Sequence, residues 1–572
     1  MKKIVTVVVC LLSGMAHCQS WQWGKRGGSI DQLSTTGGDR QEEVYAIVTD
    51  SQKNIYTLSA VGMNNLNIDG NVKTNFGDST TLTDVALSSF SCDGTYRWSK
   101  IIGGGGYDRV PSLQIDAQDN VYIAGKFAGC QDATYPPRID NDVIIPQTPQ
   151  DCSLIFIAKY SSQGVLQWIK RPQLSSVSPT DGFGFTASYE ISVDNLGNCY
   201  WLTGLPPGSY ANGALTVTGS GMQYYILKYD ANGNFTGSTS LDMQLHCVFH
   251  FYRNPYNGYY YFSGSRQLSS NSAVIAGQTV THAAFLWCFN DQGQLQWLKE
   301  SSNANVYNTI FWYNYAFDPQ NNIYIGGYIT GANYENFLGV SPSQFNNPPF
   351  VMKLNPTADT VLWSTYPTKD GRQTGALILN GNEVGVTTTC SGSVYTWGTQ
   401  TFAPGGTNQG TEVLFARLNK DTGACIALNK IPGDVGYDDC GTAFAVDASG
   451  DYILGGALGH QLTFTTNTTT NIGSQSDFFV AKYSTSVCSL HAEDFKEEGL
   501  ELAPNPVVAS VRVTTGENLR YQLYSISGVV VKEGTLNEQA NTIDFSGMAV
   551  GTYILRTVND AGKVKQVKLV KE

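Results

Sequence analysis

The sequence predicts an all-β protein of two folded parts. Three observations carry that prediction: a composition poor in charge and rich in sheet and turn formers, two short phrases that each recur seven times, and a final block of different character. Only 14% of the 572 residues are charged, against roughly 25% in an average soluble protein, while 41% are hydrophobic, 12% aromatic and 60 are Gly. Such a chain is too long for one ordinary compact domain and too apolar to remain disordered. With 35 Lys+Arg against 47 Asp+Glu the net charge is -12, so no basic field attracts phosphate backbones and nucleic acid is set aside as a partner.

Residues 1–18 read as a signal peptide. Lys2 and Lys3 precede an apolar run from Ile4 to Leu12, small and polar residues follow up to Ala16-His17-Cys18, and cleavage after Cys18 fits. That run is far shorter than the roughly 20 residues a membrane-spanning helix needs, and no later stretch approaches that length, so no transmembrane segment is expected. A lipoprotein needs a small residue before its acylated cysteine, whereas Cys18 follows His17 and Cys10 follows Val9. Ten cysteines, Cys92 to Cys488, then remain in a chain bound for an oxidising compartment, where disulfides are permitted. No C-x-x-C pair suggests zinc or a redox site.

The repeats decide the fold. The first phrase is an apolar stretch, a turn and a second strand: Ile47-Val48-Thr49-Asp50 leading to Asn54-Ile55-Tyr56, then Ile115-Asp116 to Asn120-Val121-Tyr122, then Val193-Asp194 to Asn198-Cys199-Tyr200. It returns at Asn254–Tyr259, Asp318–Tyr324, Asn380–Val384 and Asp447–Tyr452. The second phrase sets apolar residues around a basic one, as in Phe156-Ile157-Ala158-Lys159-Tyr160, Tyr225-Ile226-Leu227-Lys228-Tyr229 and Phe479-Val480-Ala481-Lys482-Tyr483, with relatives ending at Phe90, Phe289, Leu354 and Leu418. Six copies are followed by a further strand, typified by Trp98-Ser99-Lys100, Trp168-Ile169-Lys170 and Trp297-Leu298-Lys299 and degenerate around Gly237, Trp363 and Leu428. The seventh, ending at Tyr483, lacks one, and the missing strand stands at the start of the mature chain as Trp21-Gln22-Trp23-Gly24-Lys25. An open array would leave unpaired edges at its ends. Residues 19–483 are therefore expected to form a seven-bladed β-propeller closed by its N-terminal strand, with long loops, because the repeat exceeds the 40 to 50 residues of common propeller blades.

The phrasing resembles SBBP-type bacterial β-propeller repeats, which read roughly "VDxxGNxYxxG" followed by "FxAKYDxxG". The fourth and sixth copies depart from it at the turn, with Arg253-Asn254-Pro255-Tyr256-Asn257 and Leu379-Asn380-Gly381-Asn382.

After a partly acidic linker, 484–499, the block 500–572 carries Leu502-Ala503-Pro504-Asn505-Pro506-Val507, then Tyr521 to Gly528, then Gly551-Thr552-Tyr553-Ile554-Leu555. Its short alternating strands predict a small Ig-like β-sandwich. The marks Pro504, Asn505, Pro506, Gly528, Gly551 and Tyr553 resemble the type A C-terminal sorting domain of the type IX (Por) secretion system, although Ser525 and Ser527 replace more usual residues at the hairpin turn. That resemblance implies export to the periplasm and then across the outer membrane, with type IX secretion machinery as partner, and release or attachment to surface lipopolysaccharide after removal of the domain. Lys563, Lys565, Lys568 and Lys571 would belong to the address, or guard a strand edge, and the two roles are compatible.

Chemistry is sparse. The recurring Asp50, Asp116, Asp194, Asp318 and Asp447 suit hairpin turns better than calcium. His246 and His250 share a face if their segment is one strand, but without a third metal ligand, and no nucleophile elbow, zinc-protease helix or phosphate loop occurs, so no catalytic residue, metal or cofactor is assigned. A second acidic set precedes the blade turns by 8 to 13 residues: Asp39, Asp108, Asp181, Asp370 and Asp439, with Asp39 and Asp108 followed by Arg40 and Arg109. These are either a solvated rim or a polar ring that binds a cation or sugar hydroxyls, with Tyr107, Tyr307 and Tyr437 as stacking platforms. Two function classes follow: a secreted or surface binding module for glycan or protein, or a carbohydrate-active or proteolytic enzyme on the same scaffold. Recurrence of the carboxylates with the repeat favours the first. One disulfide is expected, Cys130–Cys152, because these residues flank the facing ends of two strands of one blade, Val121–Ala128 and Leu154–Tyr160.

Overall fold

The computed structural model describes residues 19–30, 42–77, 83–106, 108–128, 135–145, 153–172, 190–266, 272–302, 310–329, 337–338, 349–367, 374–391, 394–402, 411–434, 437–472, 476–485, 488, 500–525, 529–538, 541–559 and 564–571. The signal peptide, Asp39, Tyr107, Cys130, Cys152, Asp181, Tyr307, Asp370 and Gly528 lie outside the described residues. The chain divides into two compact units, Met1–Val487 and Cys488–Glu572. Nearly all of its regular structure is strand, and no described helix is long and apolar enough to cross a membrane.

Among the described residues, seven antiparallel sheets of four or more strands succeed one another in the first unit. Sheet 1 comprises Val44–Thr49, Ile55–Val61, Asp84–Phe90 and Tyr96–Gly103; sheet 2, Arg109–Ile115, Val121–Ala128, Ser153–Tyr160 and Leu166–Lys170. Sheet 3 comprises Ile191–Val193, Cys199–Leu205, Gln223–Tyr229 and Phe235–Leu241; sheet 4, Val248–Arg253, Tyr260–Ser265, Ala284–Phe289 and Leu295–Glu300. Sheet 5 comprises Ile310–Phe317, Ile323–Ile329, Pro349–Leu354 and Val361–Thr365; sheet 6, Thr374–Asn380, Glu383–Ser391, Thr411–Asn419 and Cys425–Lys430. Sheet 7 takes three strands from its own stretch, Cys440–Val446, Tyr452–Leu458 and Asp477–Ser484. Its fourth is Ser20–Gly28, antiparallel to Asp477–Ser484 with Ser20 opposite Ser484 and Gly27 opposite Phe478. The first strand of each sheet lies against the first strand of the next, and Cys440–Val446 of sheet 7 lies against Val44–Thr49 of sheet 1.

Second and third strands such as Ile55–Val61, Asp84–Phe90, Tyr452–Leu458 and Asp477–Ser484 are buried at every position. Sheets covered on both faces need apolar residues on both, which is why these strands lack a one-sided alternation. Adjacent sheets are also fastened by indoles. The Nε1 groups of Trp23, Trp98, Trp168 and Trp363 donate to the carbonyl oxygens of Cys92, Ser162, Ala231 and Lys420 at 3.1–3.2 Å, each in the following sheet's turn. At Gly164 (φ 76°) a Cβ would stand 2.7 Å from the Trp98 ring, so that turn admits only glycine.

The long loops are not structureless. Hairpin Asn67–Ile68/Asn71–Val72, from the second-to-third-strand connection of sheet 1, pairs onto Ser20–Gly28 of sheet 7. Hairpin Arg138–Ile139/Val143–Ile144 of sheet 2 likewise pairs onto Tyr96–Gly103 of sheet 1. Such arms cover outer strands that would otherwise present open edges.

In sheet 2, Ser153 faces Ala128 across the ladder. Cys92 and Cys488 are each disulfide-bonded, whereas Cys199, Cys247, Cys288, Cys390 and Cys425 are buried thiols.

In the second unit, Leu500–Ala503, Ser510–Thr515 and Asn541–Asp544 form one sheet, and Val530–Leu536, Leu519–Ser525, Gly551–Asn559 and Val564–Lys571 the other. Val511, Val513 and Ile543 from the first meet Leu523, Leu555 and Leu569 from the second in one core. Ser510–Thr515 alternates strictly between buried and open positions, as a sheet with one wet face should.

Candidate functional site

Because each sheet is an up-and-down meander, its two tight turns share one end, and its longer connections share the other with the links to neighbouring sheets. The recurring motifs belong to the tight-turn end. Asp50 Oδ1 accepts the N–H groups of Gln52 and Asn54 at 2.9 and 2.7 Å, and its Oδ2 accepts from Asn54 Nδ2 and the Tyr56 hydroxyl at 2.8 and 2.7 Å. Asp116 and Asp318 repeat this with Tyr122 and Tyr324 at 2.9 and 3.1 Å. Burial and the adjoining carboxylate raise the Tyr122 and Tyr324 phenols and keep them as donors.

The lysine of the second phrase meets the aspartate of the first. Lys159 lies 3.6 Å from Asp116, Lys353 lies 3.8 Å from Asp318, and fully buried Lys482 bridges Asp447 and Asp451 at 3.0 and 3.1 Å. The aberrant sixth turn keeps the pairing with other residues: Arg417 binds Glu383, which also accepts from the Tyr452 hydroxyl at 2.9 Å. These carboxylates are engaged within the fold, which leaves them as turn and pairing groups. Among the described residues no three His, Cys, Asp or Glu side chains gather as a metal site. His250 Nδ1 lies 3.3 Å from Glu190, and His246 falls on a different sheet, in the strand Met243–His246.

Of the second acidic set, the described Asp108 and Asp439 belong to the loop end. Asp108 and Asp439, each 1% exposed, sit at the head of the first strands of sheets 2 and 7. Asp439 Oδ1 accepts the Gly459 N–H at 2.7 Å, and burial pushes its carboxyl up to about 7. Tyr437, by contrast, is 44% exposed, and its ring stacks on His460 with centroids 4.5 Å apart and planes 18° from parallel. His460 Nδ1 is held 2.7 Å from Asp434 Oδ2. Near them, Lys430 pairs with Glu412 at 2.6 Å. Sequence reasoning found Tyr437 and Asp439 by their place in the repeat but missed His460 and Asp434, whose only signal is proximity created by the hairpin Gln461–Thr463/Thr468–Thr470.

A pair of carboxyls, also missed, marks where the N-terminal strand meets sheets 1 and 7. Glu42 accepts from Ser29 N–H and Oγ–H at 3.0 and 2.8 Å and from Gly62 N–H. Asp477 accepts from Arg26 and from the Ile472 N–H at 3.2 and 3.0 Å. Both flank Gly28, where a Cβ would stand 2.2 Å from Glu42 and 2.5 Å from Asp477. Burial, with Asp477 alongside, pushes Glu42 up to about 8, and burial pushes Asp477 up to about 7 despite Arg26. Both folded-state values lie above the ordinary ones of 4.5 and 3.8, so their stabilisation is complete below those and is lost as pH rises through 7 and 8. The melting temperature is therefore expected to fall by several degrees between pH 5.5 and 8.5. Glu42→Gln should flatten that slope, and an unchanged slope in this variant would remove Glu42 as its source.

In the second unit, the Pro504-Asn505-Pro506 mark closes an edge. Asn505 Nδ2 donates to the Lys568 carbonyl at 3.0 Å and its Oδ1 accepts the Val570 N–H at 2.9 Å, pinning the outer side of Val564–Lys571. The Tyr553 hydroxyl donates to the Ala549 carbonyl at 2.7 Å, and Gly551 opens its strand at φ 155°. Lys565, Lys568 and Lys571 lie on the pinned strand.

Residues 501–572 match the family model of the secretion system C-terminal sorting domain. This match supports export by the type IX system to the surface or exterior and an interaction with its machinery. No curated protein matches the chain. Among solved structures, quinohemoprotein alcohol dehydrogenase from Comamonas testosteroni is 11% identical, covering 86% of this chain and 79% of that one at a TM-score of 0.34. A Dyadobacter fermentans protein of unknown function is 9% identical, covering 80% and 98%, also at 0.34. BamB from Moraxella catarrhalis is 11% identical, covering 83% and 100%, at 0.26.

Proposed function

We propose that the chain is a secreted or cell-surface binding module. In this reading, residues 19–483 form a seven-bladed β-propeller of SBBP-type repeats closed by its N-terminal strand, delivered by the signal peptide and an Ig-like sorting domain at 500–572. The observation that carries it is the division of labour between the two ends of the sheets: the repeated carboxylates are engaged at the tight-turn end, which leaves recognition to the loop end, where Tyr437 is open to solvent above the enclosed Asp439. The contact of sheet 7 with sheet 1 supports closure, and the sorting tail supports surface delivery, with release or lipopolysaccharide attachment after processing. Asp39, Asp181, Asp370, Tyr107 and Tyr307 complete the proposed polar ring by their places in the repeat.

An enzyme reading has less support, because the adjacent carboxyls Glu42 and Asp477 are sealed at 2% and 1% exposure and reach no substrate. A screen of the mature full-length chain against glycans and surface proteins, with turnover followed, should return saturable binding without product. Released product would favour the enzyme. A Cys130–Cys152 bridge belongs to the same proposal, since the ladder that sets Ser153 opposite Ala128 leads toward both residues. Peptide mapping without reduction should recover them linked, and a free thiol at either refutes the bridge.

A further inference from the structure

We propose that Tyr437, His460 and Asp434 form a platform for a neutral saccharide. This deepens the binding-module reading and rests on it. The three side chains are open to solvent together: Tyr437 is 44% exposed, and the side chains of His460 and Asp434 are 38% and 40% exposed. They are also rigidly held. The Tyr437 ring lies nearly flat on the imidazole, and Asp434 fixes that imidazole through Nδ1. The backbone beneath is tied as well: the Asp434 N–H donates to Gln461 O at 3.2 Å, the Asn471 N–H donates to His460 O at 2.9 Å, and buried Asp439 holds the Gly459 N–H. At Gly459 a Cβ would stand 3.1 Å from Tyr437 Cβ and 2.9 Å from the Asp438 carbonyl, so the tyrosine is seated against this backbone.

A supported aromatic plate with an acceptor and an imidazole at its margin suits a pyranose. The apolar C–H face of the sugar packs on the ring, and its hydroxyls bond the polar margin. Charge narrows the class. Asp434, Asp438 and Glu412 all place negative charge about the buried Asp439, and Lys430 is engaged by Glu412 at 2.6 Å. An acidic polysaccharide is therefore repelled, whereas neutral hydroxyls are donors to such a surface. A basic or proline-rich peptide would also stack, but the uncharged hydroxyl donors of a sugar match this margin without burying a cation.

The test is native electrophoresis of the mature full-length chain through gels containing soluble β-glucan, xyloglucan, mannan, dextran or alginate. At least one neutral polymer should retard the protein and alginate should not. Tyr437→Ala should weaken the retardation at least tenfold at an unchanged melting temperature, and Tyr437→Phe should keep it within threefold. Retardation that survives Tyr437→Ala overturns this site and leaves the binding-module reading standing. Capture by a basic or proline-rich peptide array with no retardation by any neutral polymer overturns the saccharide and leaves a protein binder. Failure to bind any glycan or protein overturns both readings.

Discussion

Deleting Trp21–Lys25 is expected to lower the melting temperature of the first unit by more than ten degrees. The strand Ser20–Gly28 touches three sheets at once. Trp21, 6% exposed, packs edge-on against Phe415 of sheet 6 and Tyr483 of sheet 7 at 6.3 and 5.1 Å. Trp23, 2% exposed, donates to the Cys92 carbonyl beyond sheet 1, and Arg26 pairs with Asp477. Each buried indole is worth about 3–5 kcal/mol on truncation. The deletion also strips the partner from Asp477–Ser484, whose unpaired backbone becomes an edge open to aggregation. A synthetic peptide spanning residues 19–30, added to the truncated protein, should recover part of the lost stability by refilling the slot. If the truncated protein melts like its parent, closure lies elsewhere and the proposed seven-blade count is wrong.

Deleting residues 500–572 is expected to abolish surface delivery while leaving the first unit folded. The physical basis is the separateness of the cores: Val511, Val513, Leu523, Leu555 and Leu569 pack among themselves, in a compact unit distinct from the seven sheets. The truncated chain should accumulate in the periplasm with a melting temperature within a few degrees of the parent's. Asn505→Ala gives a finer probe, because it removes two of the bonds that hold the edge of Val564–Lys571 and leaves the one from the Val507 N–H to the Val570 carbonyl, and should reduce delivery without touching the first unit. Normal surface display of the chain lacking 500–572 would refute the sorting assignment.

The strands were legible because the repeats write them out: Asp116 to Tyr122 and Phe156 to Tyr160 became the turn and third strand they suggested. The N-terminal strand was found by what the seventh copy lacks, and it pairs where the gap lay. The hairpin arms escaped notice because two-residue strands such as Asn67–Ile68 carry no period. Side-chain partnerships across distant repeats were equally hidden. Lys159 and Asp116 stand in different phrases, Glu42 and Asp477 lie far apart in the chain, and His460 reaches Asp434 only through the fold. The disulfide-bonded state of Cys92 and Cys488 left no local trace either, since Cys92 stands in a turn of sheet 1 and Cys488 beyond the last repeat. At the loop end, the sequence marked Asp108 and Asp439 by position but could not show that both are enclosed while Tyr437 is open.

The pairing of Ser20–Gly28 with Asp477–Ser484 also sets an order in time. Gln22 bonds the carbonyl of Ser484, 462 residues later, so the strand made first has only the short hairpin Asn67–Ile68/Asn71–Val72 beside its end until the last sheet supplies its full-length partner. Closing so long a loop costs little more than closing a shorter one, because the entropy grows only as the logarithm of length. The burden is therefore delay: Trp21 and Trp23 wait for their sheet 7 neighbours Tyr483 and Val480 until late in synthesis, an interval in which exposed apolar surface invites misassociation. Residues 500–572 follow residue 484 in the chain, so the sorting signal emerges only after every strand needed to shelter those tryptophans. A chain that presents its export address is thus one that already holds all it needs to finish folding.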